Sequence, residues 1–400
     1  MPSYFMPIAS KDQSFEVFCV LYNGRRMAEQ ANNWMAQALV CAQQAQGRTS
    51  PNPPVGAVVV RDEQIVGQGW TQPPGGPHAE VVALAAAGEA ARGADLYVTL
   101  EPCTFWGRTP PCTDAIVQAG IRRVFFAAHD PDRRIGDGAA SVLGRAGIDV
   151  VQLADFATEA EEQMAAFHCW TVHHRPLVIA KYAMTLDGEI ATHTGDSRWI
   201  SGAAARQRVH ELRDKVDAIM VGVGTVLADD PLLTTRLDHH WRPVQHPLRI
   251  ILDSHGRTPL TARVLEPTLP GTTVVAAVNP PHAWHEALTH RGIEVLTLPP
   301  DATGRVDLHA LLTVLGERQL TSVLVEGGSS VLGALAAAQL IDRIWTFIAP
   351  KLVGGRAAPG PLGDPGVTIM RDAAAWQLVR YEQVGEDLLL IAAPHTGISR

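Results

Sequence analysis

Pro77-His78-Ala79-Glu80, then Glu101-Pro102-Cys103, then Cys112 after eight intervening residues: this stretch decides how the first half of the chain is read. His78, Cys103 and Cys112 offer one imidazole and two thiolates, a soft donor set suited to zinc. Three protein ligands leave a fourth tetrahedral position open, as in catalytic rather than structural sites. Zinc brings the pKa of a bound water to about 7. Glu80, two residues after His78, is placed to take that water's proton and pass it to a leaving amine. A structural site with Glu80 as fourth ligand is the competing reading. It is the weaker one, because structural zinc sites are usually built from Cys and His alone.

His-x-Glu followed by Pro-Cys and a second Cys is the pattern of zinc-dependent nucleobase deaminases. The usual pair is Cys-x2-Cys, so the longer gap here is a departure. Working outward, residues 32–45 carry Trp34, Met35, Ala38, Leu39 and Ala42 at helical spacing. Strands are expected at 55–60 and 65–70, joined by a turn at Asp62-Glu63. A helix starts at His78 and breaks at Gly88. The strand 95–100 ends at the Cys103 loop, followed by helix 113–119, strand 123–127, helix 139–146 and strand 149–153. This alternation predicts an α/β fold with some parallel pairing. The ligands then sit at two helix starts, where the positive end of the dipole favours a thiolate. One helix is expected from Thr158 to about His174. Arg175-Pro176 stops it, and the domain boundary is placed there.

In the second half, strand 177–184 carries Lys181, Asp187-Gly188 marks a turn, and Ser201 is expected to cap a helix running to Arg213. After strand 218–221, Gly222-Val223-Gly224-Thr225 reads as a tight glycine turn leading to Asp229-Asp230-Pro231. Residues 236–247 form a His- and Arg-rich loop. Further strands fall at 249–252, 273–278, 294–298, 321–325, 343–349 and 388–392. Glu326-Gly327-Gly328-Ser329-Ser330 follows a strand and opens a helix, an arrangement that cradles phosphate with backbone N–H groups. It is not the Rossmann glycine pattern. Taken singly, a ligand-free turn, a surface Lys181 and a solvated Asp229-Asp230 explain these features as well.

The 400 residues exceed one ordinary core and suggest roughly two or three domains. A hydrophobic content of 46% with 18% charged residues is that of a globular chain. The net charge of −8, with no Lys/Arg run, argues against a nucleic-acid partner. No apolar run approaches the ~20 residues of a membrane span. The five cysteines, Cys19, Cys41, Cys103, Cys112 and Cys169, are few and odd in number, which points to a reducing, cytoplasmic compartment. Residues 1–26 read as a tail or a mis-assigned start, since Arg25 and Arg26 follow rather than precede the apolar stretch a secretory signal would need. The expected division is 27–174 and 175–400.

Together the motifs resemble the RibD family, the bifunctional deaminase-reductases of riboflavin biosynthesis. The residues that carry the match are Pro51 to Gly56, Pro77 to Val81, Tyr97 to Cys103 and Gly107 to Cys112 in the first half. In the second half they are Leu186 to Gly188, Ser197 to Ser201, Thr225 to Pro231, Asp253-Ser254, Val325 to Gly328 and Ile348 to Lys351. The eight-residue gap is the family's own spacing. The resemblance implies an α/β protein: a cytidine-deaminase-like three-layer domain with zinc on His78, Cys103 and Cys112 and Glu80 as catalytic residue, then a dihydrofolate-reductase-like domain. NADPH would be held by Ala183, Trp199, Thr225, Asp229 and Ser254, with the loop Gly328, Ser329, Ser330, Val331, Leu332, Gly333 and Ala334. Substrate would be held by Ser197, Leu233, Arg236, Glu326 and Lys181, and on the deaminase side by Asn52 and Arg108. A small-molecule substrate and a homo-oligomer are expected, with no nucleic acid and no membrane. The alternative is a reductase whose deaminase half has lost or changed its substrate.

The chain also departs from the family pattern. Phe105 stands where the family usually has a substrate-facing histidine, Asp132-Arg133 follow Asp130-Pro131 in place of Asn and Pro, and Gly136 and Gly138 sit one position early. Phe105 should therefore cost one hydrogen bond to an anionic substrate, worth about 1.5–3 kcal/mol. The competing reading has Phe105 and Trp106 merely packing their loop against the neighbouring domain.

Overall fold

The computed structural model describes residues 31–395 other than Trp241 and Pro365. The expectation for residues 1–26 lies outside the described residues. The chain forms two compact units. Thr49 closes the first part of one unit, which resumes at Pro54–Met164; the other comprises Ser50–Pro53 and Ala165 onward.

In the first unit, helix α1 (31–45) buries Met35, Ala38, Leu39 and Ala42, the face its spacing predicted. Strands β1 (Gly56–Arg61) and β2 (Gln64–Trp70) form a hairpin whose turn residues Asp62 and Glu63 both take positive φ, 51° and 59°. Such turns match the right-handed twist of the flanking strands. Helix α2 (Ala79–Ala87) lies tight on β2. A Cβ on Gly69 would stand 2.5 Å from the Ala79 carbonyl oxygen, so only glycine lets the helix start this close. The chain continues through β3 (Asp95–Leu100), α3 (Cys112–Ala119), β4 (Arg123–Ala128), α4 (Gly138–Arg145) and β5 (Asp149–Gln152). The sheet order is β2-β1-β3-β4-β5, with β1 antiparallel to both neighbours and β3, β4 and β5 parallel. The loop carrying Cys103 leaves the C-terminal end of β3, the edge at which α/β sheets bind ligands.

The expected helix 158–174 is instead two, α5 (Ala157–Gln163) and α6 (Ala165–His173), separated at Met164, whose φ of −107° and ψ of 12° break the run. Cys169 of α6 packs with Leu177, Ile179 and Leu324, so α6 belongs to the second unit.

The second unit is one nine-stranded sheet. It is built from β6 (Leu177–Thr185), α7 (Ala203–Arg213), β7 (Ala218–Gly222), α8 (Val223–Asp229), β8 (Leu248–Leu252), β9 (Thr273–Ala277), α9 (His282–His290) and β10 (Glu294–Thr297). α10 (Leu308–Glu317), β11 (Ser322–Val325), α11 (Ser329–Ala337), β12 (Arg343–Ala349), β13 (Trp376–Val384) and β14 (Asp387–Pro394) complete it. The order is β10-β9-β8-β7-β11-β6-β12-β14-β13, parallel up to β12 and antiparallel beyond. Alternate residues of one strand face opposite sides of a sheet. In β7, Ala218 and Met220 join one core with Leu311, Leu332 and Leu335, while Ile219 and Val221 join another with Val226 and Leu288.

Two local expectations are corrected, and one strand is added. Gly202, not Ser201, precedes α7, and the buried Asp387 carboxylate accepts from its N–H at 2.7 Å. Gly222-Val223-Gly224-Thr225 is not a turn: Gly222 caps α8, which begins at once. Strand β13 was not foreseen, because it is an exposed edge strand with no apolar alternation to reveal it. Among the described residues no helix is long and apolar enough to cross a membrane.

Candidate active sites

His78 is the residue before α2, and Cys112 is the first residue of α3. Cys103 arrives from β3. His78 Nδ1 lies 3.3 Å from Cys112 Sγ and 3.6 Å from Cys103 Sγ. Two ligands of a tetrahedral zinc, at about 2.0 Å for nitrogen and 2.3 Å for sulfur, stand about 3.5 Å apart, so the donor set fits the ion. These three form the only such group of His, Cys, Asp or Glu among the described residues. Thr109 Oγ1 lies 3.3 Å from His78 Nε2. The tautomer with its proton on Nε2 donates to Thr109 and leaves the Nδ1 lone pair for metal, the usual outer-shell arrangement. The Cys112 N–H donates to Cys103 Sγ at 3.3 Å. A hydrogen bond from the Cys112 thiol, helped by His78 against burial, brings the Cys103 thiol down to about 5; its partner Cys112 is pushed up by the same bond and by burial.

Glu80 occupies the first turn of α2 and is 4% exposed. Burial first, and the Cys103 charge second, push its carboxyl above the usual range, while His78 and a hydrogen bond to Cys112 oppose the shift. Such a group holds and releases a proton more readily near neutrality than a solvated carboxylate. Cys112→Ser or Cys103→Ser should therefore lose metal outright. Zinc content measured on the purified variants is expected to fall from about one per chain to a small residue; full retention would remove that cysteine from the ligand set.

Sequence reasoning missed two residues here. Thr109 orients the imidazole; its place within Gly107 to Cys112 was its only signal. Asp130 is pushed up to about 7, chiefly by burial and then by Asp132 and Cys103; nothing in its sequence context marks that environment. Arg108 is exposed on the same loop as Thr109. Asn52 lies in the short segment that packs with the second unit. Phe105 does pack, but its partner is the Arg134 guanidinium, 4.3 Å above the ring centre. Trp106 is 72% exposed, so it does not pack its loop.

In the second unit, a cavity of about 680 Å³ is lined by Thr225, Asp229, Ser254, Gly328 to Val331 and Ala334, eight of the expected cofactor residues. Gly327 and Gly328 take φ of 123° and 78°, and a Cβ on Gly327 would meet Thr225 Oγ1 at 3.2 Å. The turn therefore lays bare backbone N–H groups ahead of α11, a fit for a pyrophosphate. Leu332 and Gly333 do not serve the cavity: Leu332 is in the core, and Gly333 faces the Gly363 backbone. They occupy other faces of α11. Ala183 and Trp199 lie outside the cavity lining; Trp199 is 64% exposed beneath the Arg206 guanidinium. Asp229 is paired with Arg198 at 3.3 Å. Ser254 Oγ accepts from Val306 N at 3.0 Å and so ties two cavity loops together. Those loops bring His255, Arg257 and Arg305 to the same cavity, three basic groups that sequence reasoning did not single out.

A second polar cluster centres on Glu326. Arg213 Nε and Nη2 donate to its two oxygens at 2.6 and 2.9 Å, with both side chains nearly enclosed, at 11% and 9% exposure. Burial raises the Glu326 carboxyl, but Arg213, with Lys181 and His210, outweighs it, and the group sits below its ordinary range. Arg213 also donates to the Thr234 carbonyl, and Arg236 donates to Thr234 Oγ1 at 2.9 Å. Leu233, buried with a φ of 54°, makes the bend that brings Thr234 there. Burial and then Arg213 and Arg236 press His210 down to about 4, which keeps it neutral. Burial lowers Lys181, with Glu326 pulling the other way. Ser197 is half-buried. Arg213 was missed by sequence reasoning; its only signal was its place in the last turn of α7.

Fold and sites define a bifunctional enzyme, a zinc-dependent deaminase joined to an NADPH-dependent reductase. Residues 176–390 match the RibD C-terminal domain, and residues 28–128 match the cytidine and deoxycytidylate deaminase zinc-binding region. The riboflavin biosynthesis protein RibD of Bacillus amyloliquefaciens is 41% identical over 364 residues, covering 91% of this chain and 96% of the relative. Its Escherichia coli counterpart is 39% identical over 367 residues, 89% and 97% of the two chains. The Thermotoga maritima diaminohydroxyphosphoribosylaminopyrimidine deaminase/5-amino-6-(5-phosphoribosylamino)uracil reductase superposes with a TM-score of 0.79 at 33% identity, covering 92% of this chain and 99% of that one. Acinetobacter baumannii RibD gives 0.80 at 35% identity with the same coverage. The chain belongs to the RibD family.

Proposed function

We propose that the first unit hydrolyses the 2-amino group of 2,5-diamino-6-ribosylamino-4(3H)-pyrimidinone 5′-phosphate, and that the second reduces the ribosyl group of the deaminated product to ribityl with NADPH. The observation that carries this reading is the convergence of His78 Nδ1 with the sulfurs of Cys103 and Cys112, at 3.6 and 3.3 Å, beside the buried Glu80. His78, Cys103 and Cys112 would hold zinc, which would supply an acidified water. Glu80 is placed to hold a proton between water and the leaving amine, so that water and substrate become the oxo product and ammonia. Arg108 and Asn52 are assigned to substrate.

In the reductase, the phosphate cradle Gly328-Ser329-Ser330-Val331, with Thr225, Asp229 and Ser254, would hold NADPH, which would supply a hydride for the ribose C1′. Arg236 pairs with the substrate phosphate. Glu326, fixed by Arg213, accepts from substrate hydroxyls, with Ser197 and Leu233 around it. Lys181 and Asp229 assist opening of the aminal. All residues assigned to deamination lie within 27–174 and all those assigned to reduction within 175–400; of the parts of 27–174 that pack with the second unit, α6 carries none of either and Ser50–Pro53 carries Asn52. The free thiols at Cys41, Cys103, Cys112 and Cys169 suit a cytoplasmic location. A homo-oligomer goes with this reading and is tested by sedimentation.

Purified protein given the diamino substrate and NADPH should release one ammonia for each NADPH oxidised, with deamination first. NADPH oxidation without ammonia would leave a reductase only, but the intact ligand set and Glu80 do not favour that outcome.

The cavity also carries a cofactor-selectivity prediction. Its acidic residues are engaged elsewhere: Asp229 by Arg198, and Asp301 by the N–H groups of Thr303 and Arg305. One oxygen of each is thereby taken, while Arg257 and Arg305 line the same cavity and can meet a 2′-phosphate. Replacing either arginine by alanine should weaken NADPH about ten-fold or more, as for one charge-assisted hydrogen bond, and leave NADH unchanged. Calorimetry with 2′,5′-ADP against 5′-ADP reads the same contrast without turnover.

A further inference from the structure

Phe105 and Asp132, 27 residues apart in the chain, grip the same side chain. The Arg134 guanidinium lies 4.3 Å over the Phe105 ring centre. Its Nε reaches the Asp132 oxygens at 3.0 and 2.9 Å, and Nη2 reaches Oδ2 at 2.5 Å. The Asp132 carboxylate also accepts from the Arg134 N–H at 3.0 Å, and Asp130 Oδ1 accepts from the Asp132 N–H at 2.9 Å, which fixes the turn. Thr104 Oγ1 donates to the Ile135 carbonyl at 2.8 Å and fastens this turn to the loop that carries Cys103, Arg108 and Thr109.

A guanidinium stacked on a ring keeps its in-plane N–H groups free. Here the Nε/Nη2 edge is taken by Asp132, so the Nη1 edge and one face remain. The side chain is 63% exposed, so that edge is open to a ligand. The Thr104–Ile135 bond ties the turn of Arg134 to the residue next to Cys103, so Arg134 is not on a remote surface. An arginine already immobilised by two partners loses little further rotamer freedom on gaining a third. Phe105 cannot itself hydrogen-bond to anything; its ring supplies the platform for a group that can.

We propose that Arg134, stacked on Phe105 and clamped by Asp132, is a substrate-binding residue of the deaminase whose Nη1 edge pairs with the 5′-phosphate. The phosphate lies a ribose away from the ring that loses its amine, so its receptor belongs on the rim of the site and not at the metal. The assignment rests on the deaminase reading above and adds to it the residue that reads the phosphate.

The test uses the full zinc-loaded chain, Arg134→Gln and Arg134→Lys, and a second platform variant, Phe105→Leu. Ammonia release is followed with the diamino substrate and with its dephosphorylated form, and binding of ribose 5-phosphate is measured by calorimetry. Arg134→Gln should raise KM for the phosphorylated substrate about 10- to 100-fold, the value of one hydrogen bond to a charged group. It should leave kcat, zinc content, reductase turnover and KM for the dephosphorylated form within about three-fold of wild type. Arg134→Lys should fall between, because lysine keeps the charge but loses the stack and the fork. Phe105→Leu should move in the same direction by a smaller factor. With the reductase phosphate site removed by Arg236→Ala, ribose 5-phosphate should bind Arg134→Gln at least ten-fold more weakly than the chain that keeps Arg134. Equal effects on both substrates, or no effect on either, would reduce the cluster to loop packing. A wild-type chain that released no ammonia would overturn the deaminase reading, and ribose 5-phosphate binding would still decide the role of Arg134.

Discussion

Glu80→Gln is expected to keep its zinc and to lose deamination by about 10²–10⁴-fold, the range for removal of a positioned general acid–base. Glutamine fills the same volume in the first turn of α2, where Glu80 is 4% exposed, so the fold has no reason to change. Ligation needs only His78, Cys103 and Cys112, whose donor atoms already converge without Glu80. What the amide cannot do is accept the proton of water and deliver it to the departing nitrogen. Metal analysis and ammonia release separate these effects. Reductase turnover on previously deaminated substrate serves as an internal control and should be unchanged. Release of zinc from Glu80→Gln would make Glu80 a ligand and the site structural.

The second large effect is expected at Arg213. Its guanidinium forks both oxygens of Glu326 at 2.6 and 2.9 Å, with both side chains almost wholly enclosed. Breaking a buried pair from one side leaves an uncompensated charge and costs about 3–5 kcal/mol. Arg213→Met should lower the urea midpoint accordingly and should also cost reduction, because Glu326 is no longer fixed and Thr234 loses the donor to its carbonyl. The double variant Arg213→Met/Glu326→Leu removes both charges. Its stability should recover most of the loss while reductase activity stays down. NADPH binding should hold in both variants, since neither residue lines the cofactor cavity. If Arg213→Met proved as stable as wild type, the pair would be solvated and its positioning role would fall with it.

Some of this was written locally in the chain. A metal set needs particular atoms in a particular order, and His78, Glu80, Cys103 and Cys112 declare themselves by residue type alone. Helix α1 was legible because its apolar residues repeat at helical spacing, and strands β1, β3 and β7 because they are short, largely apolar runs bounded by turn residues, buried on both faces. The glycine turn at 327–328 was legible because only glycine accepts its φ values comfortably.

Tertiary structure decided what depends on residues far apart in sequence. The cap of α7 is Gly202, whose N–H is held by Asp387, 185 residues downstream, and no local pattern could have moved the helix start from Ser201. Helix α6 reads as a continuation of α5 until Cys169 finds its packing partners on β6 and β11. Arg213 looks like an ordinary last-turn arginine until β11 brings Glu326 to it, 113 residues on. Leu332 and Gly333 belong to the same run as the phosphate cradle, but a helix turns each residue to its own direction, and theirs is the core. Phe105 and Asp132 read as two unrelated substitutions, and the fold makes them two sides of one clamp on Arg134. Sequence fixes which groups are available and the periods at which they repeat. Which of them meet is set by the long-range pairing of strands and helices, because hydrogen bonds, ion pairs and stacking act only over a few ångströms.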